Sequence, residues 1–578
     1  MMDRREYMRE YKRRYRAAHS LKKYDGDAFL SLSCISVEEA DRRGGGLIDA
    51  WGLVWDDTTE KTGADVKSLF NALLCVRRKN TVYISNLKVW ARFFVKYAAD
   101  NGFKLSENTK EKNTYRLNVN GVGDWVGFEI NQDGEQTFIK NFSEIIRTPL
   151  DKALKDFCQM DLKPQSDPIL TARCMRLIMR NFKFALVKLS GGIPFNANTI
   201  SGYAQKLCEI IAGDGCPEYG KQVFKSVFPS LPRSLCDDLR ASKVYRSGWN
   251  YLAPKALDYT GAGFVLDVRS FYPSIYAKIL PYGVPKKFDF KADFYYNSKY
   301  CLFHVLELSA DLKIGGVPTI QIINDPDTGT KYLNKINYTG GFPFFLDSND
   351  IETLYNNYDI NFLTIDYFYQ FNVKQIYFMK EYANRLYGLK SRENGSAIGA
   401  AAKHLINSLS GRFGINPYRN EVDIIKNKSY AATKTNYVGE IGYLPAAIFI
   451  NSMGRRIISE LARKNKDIFL YSDTDSIFIK GNEIPQNLAD LVGTDLGEFS
   501  ITRFTECKFL GLKCYGYKTL FDGWKWTVSG ASPQMLKALD GEAYRGQILK
   551  GGVVPKVYPD GTIAFKEREF TLARNIIF

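Results

Sequence analysis

Two carboxylates one residue apart, Asp473 and Asp475, lie between the apolar runs Ile468-Phe469-Leu470 and Ile477-Phe478-Ile479. The flanks read as two short strands, with Asp473-Thr474-Asp475 as the tight connection between them. Carboxylates held that close repel, and a cation is the natural remedy. An oxygen-only ligand set with open positions suits Mg²⁺ that is also held by substrate phosphates. Taken alone, Asp-x-Asp is more often an exposed acidic turn. A further acid, Asp267, closes the run Phe264-Val265-Leu266, and a turn ended by Pro273 follows it. By itself it reads as a strand-end cap. Between these acids in sequence, Lys403 and Asn407 stand four apart on one face of a helix expected over 396–411. Lys390 ends a preceding helix that starts near 375, and Arg392-Glu393-Asn394-Gly395 folds the two into an antiparallel hairpin. Beyond the Asp-Thr-Asp segment, 508–518 reads as one strand with Lys513 and Tyr515 on the same side.

The chain that positions these residues has 578 of them, enough for about three or four domains. Its composition, 45% hydrophobic and 25% charged, is that of an ordinary soluble protein. The net charge of +16 is not ordinary and favours a polyanionic partner. Thirty-six Tyr and thirty-eight Phe add stacking surfaces of the kind single-stranded nucleic acid uses, although most of them belong to the core. Ten Cys without a Cys-x-x-Cys pair, and only three His, weigh against a zinc site and a His-based triad. With no membrane-length apolar stretch and no signal peptide, the thiols read as reduced and the location as cytoplasmic.

Along the chain, 1–24 is a basic arm in which arginines surround Tyr7, Tyr11 and Tyr15, a solvated helix or a phosphate-binding one. From 25 to 188 an α/β pattern runs, with strands at 48–55 and 81–84 and helices at 68–76 and 87–99. A hairpin of 125–129 with 137–139 is turned by Asp133-Gly134, and Ser190-Gly191-Gly192 marks a boundary. The stretch 215–222 imitates a phosphate-binding P-loop, but Gln222 stands where the metal-binding hydroxyl belongs, so it is set aside.

Asp267-x-x-Ser270-Phe271-Tyr272-Pro273, Lys403-x-x-x-Asn407-Ser408-x-x-Gly411, Tyr471-x-Asp-Thr-Asp-Ser476 and Lys513-x-Tyr515 occur in that order over about 250 residues. This series resembles the family B DNA polymerases, specifically the compact, protein-primed, phi29-like group. Tyr245-Arg246-Ser247-Gly248 is close to the Tyr-x-Gly-Gly linker of that group.

The resemblance implies a multidomain α/β and α+β fold: a right-hand polymerase with palm, fingers and thumb behind an N-terminal RNase H-like exonuclease-type domain at 25–188. Palm would occupy 189–283, 346–374 and 446–530, fingers 375–415 and thumb 531–578. Insertions at 284–345 and 416–445 would bind a terminal protein and wrap the DNA. The implied activity is processive, strand-displacing DNA synthesis by a monomer. Its partners would be primer-template DNA, dNTPs, a terminal protein primer and a single-stranded-DNA-binding protein.

Under the same resemblance Asp267, the Val268 backbone and Asp475 hold two Mg²⁺, for which Mn²⁺ can substitute. Asp473 supports them. Lys390 and Lys403 neutralise the triphosphate, and Tyr272 stacks under the sugar and excludes a 2′-hydroxyl. Asn407, Ser408 and Gly411 line the template side, Tyr245, Gly248 and Ser270 contact DNA, and Lys513 with Tyr515 grips the primer end.

The chain departs from the family pattern in its exonuclease motifs. Ser36-Val37-Glu38 stands for Asp-x-Glu, Asn86-Leu-Lys-Val-Trp90 puts Trp in place of an Asp, and Arg173 replaces the last ligand. One carboxylate of four cannot hold two Mg²⁺, so proofreading is expected to be lost. A shifted register through Asp41, Asp49, Asp56 or Asp57 is the alternative. Ser410 replaces the Tyr usual before the motif's Gly, which predicts looser base-pair selection. Two rival readings remain at this level: a non-catalytic nucleic-acid-binding relic, and a polymerase that copies RNA.

Overall fold

The computed structural model describes residues 26–573 apart from 77–79, 107–108, 120–124, 164–166, 291–299, 328–330, 426–428 and 438–441. The basic arm at 1–24 lies outside the described residues. Strands β1 (Ala28–Cys34), β2 (Ile48–Val54), β3 (Glu60–Gly63), β4 (Thr81–Ile84), β5 (Lys104–Leu105), β6 (Thr114–Val119), β7 (Trp125–Gln132) and β8 (Glu135–Asn141) make one sheet. Its order is β3-β2-β1-β4-β8-β7-β6-β5. The serines at 31 and 33 interrupt the apolar run of β1 and mask it as a strand in the sequence. Its place between β2 and β4 buries Ala28, Phe29, Leu30 and Leu32 and makes it a strand regardless. Asp133 and Gly134, both at positive φ, turn β7 into β8. Helices Val66–Leu73 and Leu87–Asp100 bury Leu69, Phe70, Phe93 and Phe94 in the core of this sheet.

The long helix Pro168–Leu189 starts where the Asp167 side chain accepts from Ile169 N at 2.9 Å, with Pro168 at the first helical position. It ends at the Ser190-Gly191-Gly192 break, but that break separates no cores. Phe182 meets Tyr203 of the next helix, Ile200–Ala212, edge-on at 5.3 Å, and both belong to one apolar cluster with Leu405. The boundary expected near 190 therefore falls inside shared packing. The imitation P-loop is the start of helix Pro217–Val227.

After β9 (Asn250–Leu252) and β10 (Gly263–Val268), a short helix spans Phe271–Tyr276. Pro273 sits within its first turn, where a missing N–H costs nothing, instead of ending a turn as expected. Strands β11 (Leu280–Asp289), β12 (Tyr300–Leu312), β13 (Lys335–Tyr338), β14 (Phe345–Asp347) and β15 (Tyr358–Lys374) form a second domain-sized sheet. Here β15, in the stretch expected to be palm at 346–374, pairs with β12 from Tyr300↔Phe371 to Leu312↔Tyr358 and with β11 on its other side. The limits 284 and 345 thus cut through a single sheet. Strand pairing over such separations leaves no local signature in the sequence.

The helical hairpin is Tyr377–Arg392 and Ala397–Phe413, with Ser396 Oγ capping the second helix by accepting from Gly399 N at 3.2 Å. Strands β16 (Tyr418–Ile425) and β17 (Ser429–Tyr437) form a ribbon whose first strand lies beside β6. Helix Leu444–Lys464 leads to β18 (Phe469–Asp473), β19 (Ser476–Lys480) and β20 (Phe499–Phe504). These complete a five-stranded sheet in the order β20-β10-β19-β18-β9. β21 (Glu506–Gly511), β22 (Cys514–Lys518) and β23 (Trp524–Val528) follow as a small sheet, and β24 (Ile548–Val557) with β25 (Ile563–Thr571) as a long hairpin.

On helix Ser348–Asn357 Asp350 is buried between Arg246 and Arg455, the latter at 3.0 Å. Arg455 also donates to the carbonyls of Arg246 and Ser247, which ties down the linker that ends at Gly248. All ten thiols are free; seven are buried, Cys34 and Cys158 are half-buried and Cys216 is exposed. Among the described residues no helix is long and apolar enough to cross a membrane.

Candidate active site

The two key acids meet because β10 and β19 are antiparallel neighbours, with Asp267 opposite Ser476. Val268 N donates to Asp475 O at 2.9 Å, which fixes the Asp-Thr-Asp tip against the end of β10. The tip itself is tight. Asp475 N donates to Asp473 O at 2.8 Å, Thr474 adopts φ +67°, and Thr474 N donates to Trp249 O at 3.1 Å. Burial, and then the neighbouring Asp267, push the Asp475 carboxyl up to about 7. Asp267 is exposed at the end of β10, yet surrounding protein also pushes its carboxyl up, against the pull of Lys390 and Arg269. Two carboxylates crowded together are what a hard divalent cation relieves, so the pair fits Mg²⁺. Among the described residues no three or more His, Cys, Asp or Glu side chains are grouped to hold a metal. An ion here would therefore need oxygens from a bound substrate.

Asp473 lies close enough to raise both of those carboxyls, but it is itself held by other side chains. Its carboxylate pairs with Lys513 and accepts from Tyr515 Oη at 3.0 Å. The expected single strand at 508–518 is in fact a hairpin, with Lys513 at its turn in the left-handed region, φ +54°. A strand's alternation would have put Lys513 and Tyr515 side by side. Instead the turn swings Lys513 back, and both side chains end on Asp473.

Around the acids, Lys390 Nζ donates to Ser270 Oγ at 3.1 Å; burial, and then Lys403, hold its ammonium below the usual lysine range. Ser270, at φ +50°, begins the short helix that carries Tyr272. The Tyr272 ring lies 5.7 Å from that of Phe271, and burial pushes its phenol well up. Gly248 is where the linker passes closest: a Cβ there would stand 2.6 Å from Thr474 Cγ2 and 3.0 Å from the Tyr272 hydroxyl. Any side chain at 248 would displace both. Tyr245 packs its ring against Gly414 and hydrogen-bonds the Asn451 side chain.

Lys403 and Asn407 are both exposed on the Ala397–Phe413 helix, but they border different clefts. Lys403 shares one of about 610 Å³ with Lys390. Asn407, Ser408 and Gly411 line another of about 660 Å³, facing Arg116 and Lys140 of the N-terminal domain and Asn198 beyond it. Ser410 is buried on the same helix. The sequence reading missed the N-terminal wall of that second cleft. Its signal was present in the alternation of β6, where Tyr115 and Leu117 are buried and Arg116 points the other way.

The five nuclease-motif positions, three of them altered, do not converge on a ligand set among the described residues. Ser36 is a helix cap, its Oγ accepting from Glu39 N at 3.3 Å. That cap starts helix Val37–Arg43, so Glu38 stands exposed on a helix, past the end of β1. Asn86 precedes helix Leu87–Asp100 at φ +53°, and Trp90 is buried. Arg173 is paired with Glu60 at 2.7 Å. The alternative carboxylates have partners of their own. Asp41 accepts from Tyr558 Oη at 2.7 Å, Asp49 from Ser33 Oγ at 2.6 Å, and Asp56 from the backbone of Thr58 and Thr59. Asp57 pairs with Arg176.

The family described as DNA polymerase type B, organellar and viral, matches residues 149–492. A DNA polymerase of Bacillus phage M2 is 30% identical over 457 residues, covering 75% of this chain and 77% of that protein. The DNA polymerase of Bacillus phage phi29 is 29% identical over the same length, and that of Streptococcus phage Cp-1 is 25% identical over 314 residues, 51% of this chain and 53% of that one. The solved structure of phi29 DNA polymerase with primer-template DNA and incoming nucleotide is similar in fold. Its TM-score is 0.80 at 23% identity, over 94% of this chain and 100% of that one.

Proposed function

Because the chain belongs to the organellar and viral type B DNA polymerases, in their phi29-like group, and is a DNA-directed DNA polymerase, we propose how it works. It extends a primer 3′-hydroxyl with dNTPs at Asp267 and Asp475, starts on a protein primer, displaces the strand ahead, and no longer proofreads. The observation that carries the site assignment is the pairing of β10 with β19, which sets the two acids against each other.

Mg²⁺ ions held by Asp267 and Asp475 would supply activation of the primer hydroxyl and neutralisation of the triphosphate. The rest falls to the side chains. Lys390 and Lys403 draw the triphosphate toward the acids by charge, and Ser270 keeps Lys390 in place. Tyr272, backed by Phe271 and confined by Gly248, forms the floor that leaves no room for a 2′-hydroxyl. Asn407, Ser408 and Gly411 receive the templating base, with Arg116 and Lys140 across the cleft as phosphate contacts. Lys513 and Tyr515 hold Asp473 and, through the hairpin turn, border the primer end.

Strand displacement draws its support from the β16–β17 ribbon, which lies beside the N-terminal domain where template would enter. A primed single-stranded circle tests this: the protein alone should yield products many times the length of the circle, whereas products ending at one circumference would refute it. Loss of proofreading is tested separately. Protein incubated with end-labelled single strand and Mg²⁺ should leave the 3′ end intact, and Glu38→Ala should behave identically. Metal-dependent shortening that disappears in Asp49→Ala would show that a shifted register is active.

A further inference from the structure

Two stretches of backbone confine the Tyr272 ring, and one side chain holds both. On one side the linker passes at Gly248, where a Cβ would stand 3.0 Å from the Tyr272 hydroxyl. On the other, a Cβ on Gly454 of helix Leu444–Lys464 would stand 3.0 Å from Phe271 Cε1 and 3.3 Å from Tyr272 Cε1. The next residue on that helix is Arg455, which is buried. One nitrogen of its guanidinium donates to the carbonyls of Arg246 and Ser247, at 3.3 and 3.2 Å, and another to Asp350 Oδ1 at 3.0 Å. The Asp350 carboxylate is itself fixed. Its helix, Ser348–Asn357, is capped by Asp347, whose Oδ1 accepts from Asp350 N at 2.9 Å, and Asn349 Nδ2 donates to Ser452 Oγ of the long helix at 2.9 Å.

We propose that Arg455 is a positioning residue for sugar selection: it sets the distance between the two backbones that confine Tyr272, and so the height of the floor beneath the nucleotide sugar. A planar guanidinium suits that task, because its fork reaches a carboxylate and two backbone carbonyls at once in fixed directions. A lysine ammonium on a flexible stem cannot keep all three. Being buried, Arg455 acts on a nucleotide only through the ring in front of it, and it lies near enough for its charge to bear on the Tyr272 phenol. Arg246 also pairs with Asp350, so that carboxylate is not left bare when Arg455 is altered. The inference rests on the reading of Tyr272 as the floor that excludes a 2′-hydroxyl, and carries that selection back from the ring to the cluster behind it.

Ribonucleotide and deoxyribonucleotide addition by one preparation, compared as kcat/KM, reads the wall directly, because a smaller folded fraction lowers both values and leaves their ratio. Arg455→Lys should raise the ribonucleotide-to-deoxyribonucleotide ratio about three- to tenfold, less than loss of the ring itself. In a Tyr272→Val background the same change should add nothing, since the wall it positions is gone. Arg455→Gln, which leaves Arg246 and Asp350 as a balanced pair, should raise the ratio at least as far, and it takes the place of the lysine variant should that one not fold. A wild-type ratio in a folded Arg455 variant, beside a raised ratio in Tyr272→Val, would overturn the positioning role alone. An increase that persists undiminished in the double variant would also overturn it, because Arg455 would then act by another route. An unchanged ratio in Tyr272→Val defeats the reading of the floor, and the inference with it.

Discussion

Asp475→Ala is expected to abolish primer extension, lowering kcat by on the order of 10³-fold or more while DNA binding persists. The expectation follows from position. Asp475 sits at a tip locked from three sides, by Val268 N, by the Asp473 carbonyl and by Trp249 O, so no neighbour can swing in to replace it. Asp473, one residue away, is occupied by Lys513 and Tyr515. Gel-resolved single-nucleotide addition and a separate DNA-binding titration check both halves. Retained extension would remove the site.

The same carboxyl predicts a pH dependence. Its pKa, near 7 without a cation, lies above the ordinary carboxylate value, so it is largely protonated at pH 6 and ionised at pH 8. A metal binds only the ionised form, and the proton competes with it. The Mg²⁺ concentration for half-maximal extension should therefore fall as pH rises from about 6 to 8. A metal requirement that is flat over that range would contradict the assignment.

Tyr272→Val is expected to raise ribonucleotide use relative to deoxyribonucleotide by about 10²-fold, read as the ratio of kcat/KM values. The ring cannot retreat, because Phe271 lies beside it and Gly454 is packed against both rings. Discrimination thus comes from a rigid wall, which truncation removes. Tyr272→Phe keeps the wall and should keep most of the discrimination. An unchanged ratio in Tyr272→Val would place sugar selection elsewhere.

Much of the site was legible because its signals are local. Asp267 ends an apolar strand, the Asp-Thr-Asp segment is a turn between two others, and the 375–415 region shows its helical hairpin through caps and a Gly break. Where long-range pairing decides, the sequence reading failed. The serines of β1 hide a buried strand, β15 pairs with β11 and β12 across the expected limit at 345, and Lys513 turns a hairpin where alternation predicts a strand.

By itself the sequence determined which residues carry charge and chemistry and which short elements hold them, since strand alternation, capping and turn residues act over a few positions. Only the tertiary structure decided which of them meet. The register of β10 on β19 faces Asp267 toward Asp475, Asp473 is drawn off by Lys513, and the last hairpin is buried in the first domain. Register and docking are set by packing summed over distant segments, and a one-residue slip would turn every side chain of a strand to the opposite face.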